Sequence, residues 1–597
     1  MSTSHNRQRG ALSEGRWILW AIGMLFFLSL TPRIADLFDG TFPGLDDMMR
    51  LQQVRDLLAG QAWFDVNQSR MLTPEGGAMH WSRLPDVFLA ATIAALSPIL
   101  GPENAEIIAM GVWPLILFAA VLGLICRVSQ QLGLGRAGQA FAMLFFTTSA
   151  AVYSFWPGRI DHHGLVVVLS LGSLTALLST QLTARSGLLL AFCVTAAVSV
   201  ALEGLPYALG SLAIMGVFWI VRGHQEGVRL AALGAGLMVF SSLFFVFDAP
   251  GFSADRLVCD AYGASHWAAI LFGGVCFVAL GIFGGLLDTW RKRLWVGSLL
   301  GAGTLAVFIL VNPACFADPY ADVPEPVRVA WLSAVDEAKT LTRVWADEPW
   351  RIIWVFGFLT VATGSAMAML AGAEPHQRVA RIGFALLLGL SIVATVWQVR
   401  GQLFSHLFGA IATAWLAERF FLRWRIEGGA PKLLVFASIA VFCSASTWRA
   451  LGERLYPSVV AAKDLSFSSE CVAPENFQTL VTGEQRRLFS PIDLSIPIMV
   501  RTKHSVYAGP YHRNIEGLEQ SILILMGDQA LAHQRLLDLR ATHLVFCQGL
   551  GETNLYAKAS PESLSAQLNA GQIPAWLTPV DGLEATQGVV RLYRIEP

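Results

Sequence analysis

Blocks of about twenty consecutive apolar residues recur along most of this chain, and that is the length at which a helix crosses a bilayer. The 597 residues are 54% hydrophobic and 14% charged, with a mean hydropathy of +0.53. A soluble globular protein does not need that much apolar surface. The sequence therefore reads as a polytopic α-helical membrane protein. Its net charge of −1 names no partner, and none of nucleic-acid type is expected.

The charges between the blocks give the sidedness. Arg7, Arg9 and Arg16 precede the first block, 17–38, which puts residues 1–16 in the cytoplasm. That block has no small-residue cleavage site, so it is read as a retained helix rather than a signal peptide. Segment 84–101 is apolar but short and contains Asp86 and Pro98. If it spanned, Arg127 and Arg136 would lie outside and the acidic turn 101–106 inside, against the usual bias. It is therefore read as an interfacial or re-entrant helix. The blocks 105–126, 137–156, 164–182, 187–203, 206–221, 228–247, 267–289, 294–312, 350–372, 380–398, 403–421 and 432–449 then alternate cleanly. With the first, they predict about thirteen spanning helices over 17–449. Loops 39–104 and 313–349 are external in this scheme, and so is everything from 450 to 597. In that last part the strand-like runs 496–500, 543–546 and 588–593 alternate with helical runs 518–530 and 533–540, which predicts a small external α/β domain. Cys126, Cys193, Cys259, Cys276, Cys315 and Cys443 lie in or beside apolar blocks and read mostly as packing residues. Cys471 and Cys547 are either a disulfide or two buried thiols.

The external loops carry the chemistry. Segment 157–164 reads Pro-Gly-Arg159-Ile160-Asp161-His162-His163-Gly, dense charge at the mouth of a membrane segment. Asp161 and His163 point the same way if the segment is extended, and can then share one cation. A carboxylate with an imidazole suits Mn²⁺, and carboxylates suit Mg²⁺. The plainer alternative is a solvated loop. In the first loop Asp46 and Asp47 open an amphipathic helix whose Met48, Leu51, Val54, Leu57 and Leu58 share a face. Two acids there either cap the helix or face a ligand. His80, Trp81 and Arg83 close the same loop, as interfacial residues or as substrate contacts. Arg400 ends an apolar block, placed to snorkel to headgroups or to hold a phosphate. The blocks themselves are nearly free of charge, Glu203 at a block end being the main exception.

In order and sidedness these residues resemble the catalytic subunit of oligosaccharyltransferase, a GT-C glycosyltransferase that uses a polyprenyl-linked donor. Asp46-Asp47 with Arg50, and the run ending Trp63-Phe64-Asp65, resemble the start of that family's first external loop. Asp161-His162-His163-Gly164 is similar to its Asp-Asn-Glu-Gly, Val335-Asp336-Glu337 to its Val-x-Glu, and Val399-Arg400 to its Val-Arg. The resemblance covers roughly 17–450. It implies a divalent cation, Mn²⁺ or Mg²⁺, on Asp47, Asp161 and His163. It also implies donor phosphate at Arg400 and Arg159, and catalytic roles for Asp46, Asp47 and Glu337. The family's Trp-Trp-Asp acceptor motif is missing, since the chain has no Trp-Trp pair. Tyr511, His512 and Arg513 stand in the C-terminal part instead, as candidate acceptor contacts.

The function expected is an integral glycosyltransferase of the cell (inner) membrane. It would move a sugar or oligosaccharide from a polyprenyl-phosphate-type donor to a glycan, glycolipid or protein acceptor at the external face, among membrane lipid. The alternatives are a transporter or flippase for lipid-linked sugars, and a metal-independent polysaccharide polymerase or ligase. A transporter is expected to carry ionisable groups near mid-membrane on repeated, broken helices, and no repeat is visible here.

Overall fold

The computed structural model describes residues 33–71, 76–248, 258–317, 323–335, 338–460, 469–481, 484–580 and 589–597. Most of block 17–38, together with Asp336 and Glu337, lies outside them. Among the described residues six helices are long and apolar enough to cross a bilayer: Pro102–Gln131, Leu202–Phe247, Ala264–Leu286, Trp290–Val311, Pro349–Ala371 and Pro375–Trp397. The pair Ala430–Phe442 and Ala445–Leu455, bent by 72°, makes seven if it is one span. Shorter apolar helices, Leu84–Leu100, His163–Leu177 and Ala184–Val200, accompany them. Length and composition thus support six or seven spans, and the fuller count of thirteen stays an expectation. No side chain of Trp290–Val311 is buried, as suits a helix facing lipid.

The C-terminal residues build a five-stranded sheet. Its strands follow a short hairpin in the first loop, β1 (Asn67–Gln68) and β2 (Gly77–Ala78). They are β3 (Arg487–Phe489), β4 (Ser505–Val506), β5 (His543–Cys547), β6 (Leu577–Pro579) and β7 (Val590–Ile595), in the order β4-β3-β5-β7-β6. β3 pairs in parallel with β4 and β5, and β7 runs antiparallel to β5 and β6. Run 496–500 is not a strand. It belongs to the helix Ile492–Arg501, with Pro497 inside, and is buried almost all round. A five-residue apolar run has no period that separates strand from buried helix, which is why it misleads. Cys471 and Cys547 form a disulfide. So do Cys259 and Cys315, which the sequence suggested were packing residues.

The first loop does not stand free. Met48, Met49, Met71, Met79 and Trp81 share one core with Leu488, Leu494, Ile498, Met499 and Tyr511. The helix Leu45–Leu58 is therefore buried on every side from Asp47 to Val54, not on one stripe, while Leu58 is exposed. Arg70 donates to the carbonyls of Met499 and Thr502 at 2.8 Å, and Arg55 to that of Val500 at 2.9 Å. These bonds satisfy the carbonyls at the end of the helix Ile492–Arg501, which have no partners inside it.

Two acids, buried Asp86 and half-buried Asp248, pin the loop to the helices. Arg50 donates to Asp86 Oδ1 at 2.9 Å and to the Ser82 carbonyl at 2.8 Å, and neither ion reaches solvent. Asp248, just past the helix Gly227–Phe247, accepts from Ser82 Oγ at 2.8 Å, Ser199 Oγ at 2.7 Å and the Arg83 amide at 3.1 Å.

Asp86→Ala leaves the Arg50 guanidinium buried without its counter-ion. It is expected to destabilise the protein by about 3–5 kcal/mol, read as a lower melting temperature of the purified protein in detergent. Burial raises the Asp248 pKa to about 6 against the lowering effect of its hydrogen bonds. A carboxyl raised in the folded state favours folding while protonated, and that contribution is lost as pH rises from about 4 to about 6. Asp248→Asn stays neutral, so its melting temperature should change less across that window than the wild type's. An equal change in both proteins would exclude Asp248 as the titrating group.

Candidate functional site

The turn at Gly158 sets up the site. Its φ is +90°, and a Cβ there would lie 2.8 Å from Leu37 Cδ2 and 2.9 Å from Pro43 Cδ. Only glycine takes that conformation in that space without strain. The turn lays 159–161 across the start of the helix Leu45–Leu58. Asp47 Oδ1 accepts from the amides of Ile160 at 2.8 Å and Asp161 at 3.1 Å, and Asp47 Oδ2 lies 3.0 Å from Arg159 Nη1. The other guanidinium nitrogen, Arg159 Nη2, pairs with Asp161 Oδ2. One arginine thus joins two buried carboxylates from segments more than a hundred residues apart in sequence. Burial raises the Asp47 pKa to about 7, helped by the charges of Asp161 and Asp46 and opposed by Arg159. Burial would also raise Asp161, but Arg159 and His163 outweigh it and hold that carboxyl below its ordinary range. Arg159 lies between the two acids and compensates their charge.

Asp161 Oδ1 accepts from the His163 amide at 3.0 Å, which starts the helix His163–Leu177. The His163 ring then turns to Glu203, with Nδ1 at 2.8 and 2.9 Å from the two carboxylate oxygens. His162 lies beside it, ring centroids 4.4 Å apart. Burial, then the charge of His163, lowers the His162 pKa to about 4, so this ring is neutral near pH 7. One ligand atom from each of His162, His163 and Glu203 falls within 4.8 Å of the others.

These side chains open onto a cleft of about 260 Å³. Asp46, His162, His163, Glu203 and Arg400 line one part of it, and His80, Trp81, Asp260, Tyr511 and His512 another. Arg400 is exposed, and no carboxylate lies within ion-pair distance of it among the described residues. Trp81 stands at the centre. The Arg50 guanidinium lies 4.8 Å from its ring, Tyr511 meets it edge-on at 5.4 Å, and His162 lies at 6.3 Å. His80 packs against His512 at 4.3 Å. Burial, then the charge of His512, holds His80 well below the ordinary histidine pKa. Asp260 accepts from His512 Nε2 at 2.7 Å and from Arg513 at 2.6 and 2.8 Å, and Arg513 also reaches the Met79 carbonyl at 3.1 Å. The neighbouring Cys259 is tied to Cys315.

The structure brings most of the sequence-predicted residues together, though not in the roles expected of all of them. Asp46, His80, Trp81, His163, Arg400, Tyr511 and His512 line the cleft. Asp47 and Asp161 lie directly behind it, fully buried. Arg159 is held between those two acids rather than presented to a donor phosphate. Arg83 is buried, and its donors go to Gln53, Gln61, Asp65 and Asp86, so it shapes the loop and does not reach the cleft. Arg513 is held by Asp260. Glu337 falls outside the described residues. No spacing in the sequence pairs Glu203 with His163 or Asp260 with His512. The one usable signal was Glu203, a lone acid at the end of an apolar block.

A cation fits the first trio better than the second. In His80, Asp260 and His512 both oxygens of the only acid are taken by Arg513 and His512. In His162, His163 and Glu203 no arginine among the described residues bonds the carboxylate, and Asp161 lies on the same segment as both histidines. Imidazole with the Asp161 carboxylate suits Mn²⁺ or Zn²⁺ better than Mg²⁺.

No protein-family model and no curated protein sequence matches the chain. Solved structures do. The apo oligosaccharyltransferase of Archaeoglobus fulgidus superposes with a TM-score of 0.62 at 13% identity, over 94% of this chain and 73% of that one. The same enzyme tethered to an acceptor peptide containing the NVT sequon gives 0.60 at 11% identity, over 93% and 70%. Its complex with an inhibitory peptide and a dolichol-phosphate gives 0.60 at 12%, over 89% and 68%. At such identity the likeness is one of fold: the chain folds like these oligosaccharyltransferase structures.

Proposed function

We propose that this chain is an integral-membrane glycosyltransferase. It moves a sugar or oligosaccharide from a polyprenyl-phosphate-type lipid to an acceptor at the external face of the cell membrane. One observation carries the reading. Buried Asp47 and Asp161 meet through Arg159, immediately behind a cleft that also holds Asp46, four histidines and the exposed Arg400. The solved forms of the structural neighbour support it, since they hold a dolichol-phosphate, a sequon peptide, and zinc with sulfate. Two disulfides on the segments around the cleft suit an oxidising, external compartment.

Glycosyl transfer builds positive charge at the anomeric carbon and negative charge on the departing phosphate. Arg400 reaches into the cleft and is placed to bond that phosphate. Asp46 lines the cleft and is placed to take the acceptor's proton. Asp47 is sealed behind it and holds the 159–161 backbone in place. When bound at Asp161 and His163, a divalent cation would add charge neutralisation at the phosphate. Trp81 and Tyr511, packed edge-on against each other, lie on the wall where an acceptor would lie. The missing Trp-Trp-Asp and the presence of Tyr511-His512 point to an acceptor other than an Asn sequon, a glycolipid or polysaccharide among them.

Asp161→Ala and Arg400→Ala are each expected to lower transfer by about 10²–10³-fold. The measurement is glycolipid and glycan profiling of a deletion strain complemented with each variant, with membrane abundance matched. EDTA should abolish activity in isolated membranes, and Mn²⁺ should restore it. Unchanged glycan output from a correctly inserted Asp161→Ala variant would falsify the assignment. Survival of activity in EDTA would favour a metal-independent polymerase or ligase.

A further inference from the structure

Glu203 occupies a costly position. It sits on the single turn Leu202–Gly204 between the apolar helices Ala184–Val200 and Leu205–Arg222, where Ala201 is extended at φ −164° and breaks the run. Its side chain is 9% exposed. A carboxylate at the end of an apolar segment is retained when something pairs with it. Its partner here is the His163 ring, held by both oxygens.

That contact decides the chemistry of His163. The two ring nitrogens of a neutral imidazole differ, one a donor and the other an acceptor. A carboxylate on Nδ1 makes that nitrogen the donor and leaves the lone pair on Nε2. Histidines that bind metals commonly give their second nitrogen to a carboxylate in this way, which fixes the ring and raises its basicity. The backbone of His163 is fixed as well, by Asp161 Oδ1 on its amide. Ring and main chain are thus each tied to a different acid.

We propose that Glu203 is a positioning residue for His163, holding the imidazole as its Nδ1–H tautomer so that Nε2 is the atom offered to a divalent cation. The inference rests on the cation site proposed above. It assigns a role to an acid that lies 40 residues from its partner and outside every motif in the sequence.

The test uses the full-length protein in lipid nanodiscs, with Mn²⁺ binding followed by electron paramagnetic resonance. Glu203→Gln keeps the size and loses the charge, and it should weaken Mn²⁺ binding about 10- to 100-fold. His163→Ala should weaken it at least as much. The double variant should be no worse than His163→Ala alone, because Glu203 acts only through that ring. Glu203→Asp keeps the charge but cannot reach as far. It should fall between wild type and Glu203→Gln, and it carries the test if the amide variant is not recovered folded. Wild-type affinity in Glu203→Gln or Glu203→Asp, or losses that multiply in the double variant, overturns the role of Glu203. If Asp161→Ala weakens Mn²⁺ binding while the Glu203 variants do not, the cation site stands and this inference alone falls. A wild-type protein that binds no Mn²⁺ removes both.

Discussion

The Arg159 guanidinium between Asp47 and Asp161 is the contact on which the rest of the site depends. Without it two buried carboxylates would face each other, and like charges at that depth repel strongly. With it, the first loop and segment 157–164 are one unit. The backbone amides of Ile160 and Asp161 complete the arrangement on Asp47 Oδ1. Each later piece hangs from this unit. Asp161 starts the helix that carries His163, His163 engages Glu203, and the cleft opens in front of them.

The same logic of compensated burial recurs around the cleft. Arg50 answers Asp86 and Arg513 answers Asp260. In each case the arginine also bonds backbone carbonyls or lies between two segments. The ions therefore act less as sources of stability than as registers, since a buried pair tolerates few alternative arrangements. Arg400 contrasts with them. It is presented to open space, and that separates a group kept for a ligand from one consumed by the fold.

Much of this was legible from the residues. The density of charge at 159–163 and the acids at 46 and 47 marked the site, because apolar blocks make any charge between them conspicuous. Positive-inside counting put Arg400, His80 and Trp81 on one face, and the cleft does contain all three. Three things were not legible. Arg159 and Arg83 looked like free cations, but an arginine's partner is set by folding and not by spacing. Glu203 with His163 and Asp260 with His512 are long-range pairs, 40 and 252 residues apart. The stretch 496–500 read as a strand because its apolar run is too short to show a helical period. The Cys259–Cys315 pair was hidden because each cysteine borders an apolar block.

The shared core between the first loop and the C-terminal sheet has a consequence in time. Met48, Met49 and Trp81 are made early in synthesis, whereas Leu488, Ile498 and Tyr511 arrive only after the long apolar helices have been translated. Until then the loop has an uncovered apolar surface and the cleft has no second wall. β7 is the last strand of the chain and lies between β5 and β6, so the sheet cannot close before Val590–Ile595 has left the ribosome. The acids and histidines of the site face a walled cleft only once Tyr511 and His512 have been made.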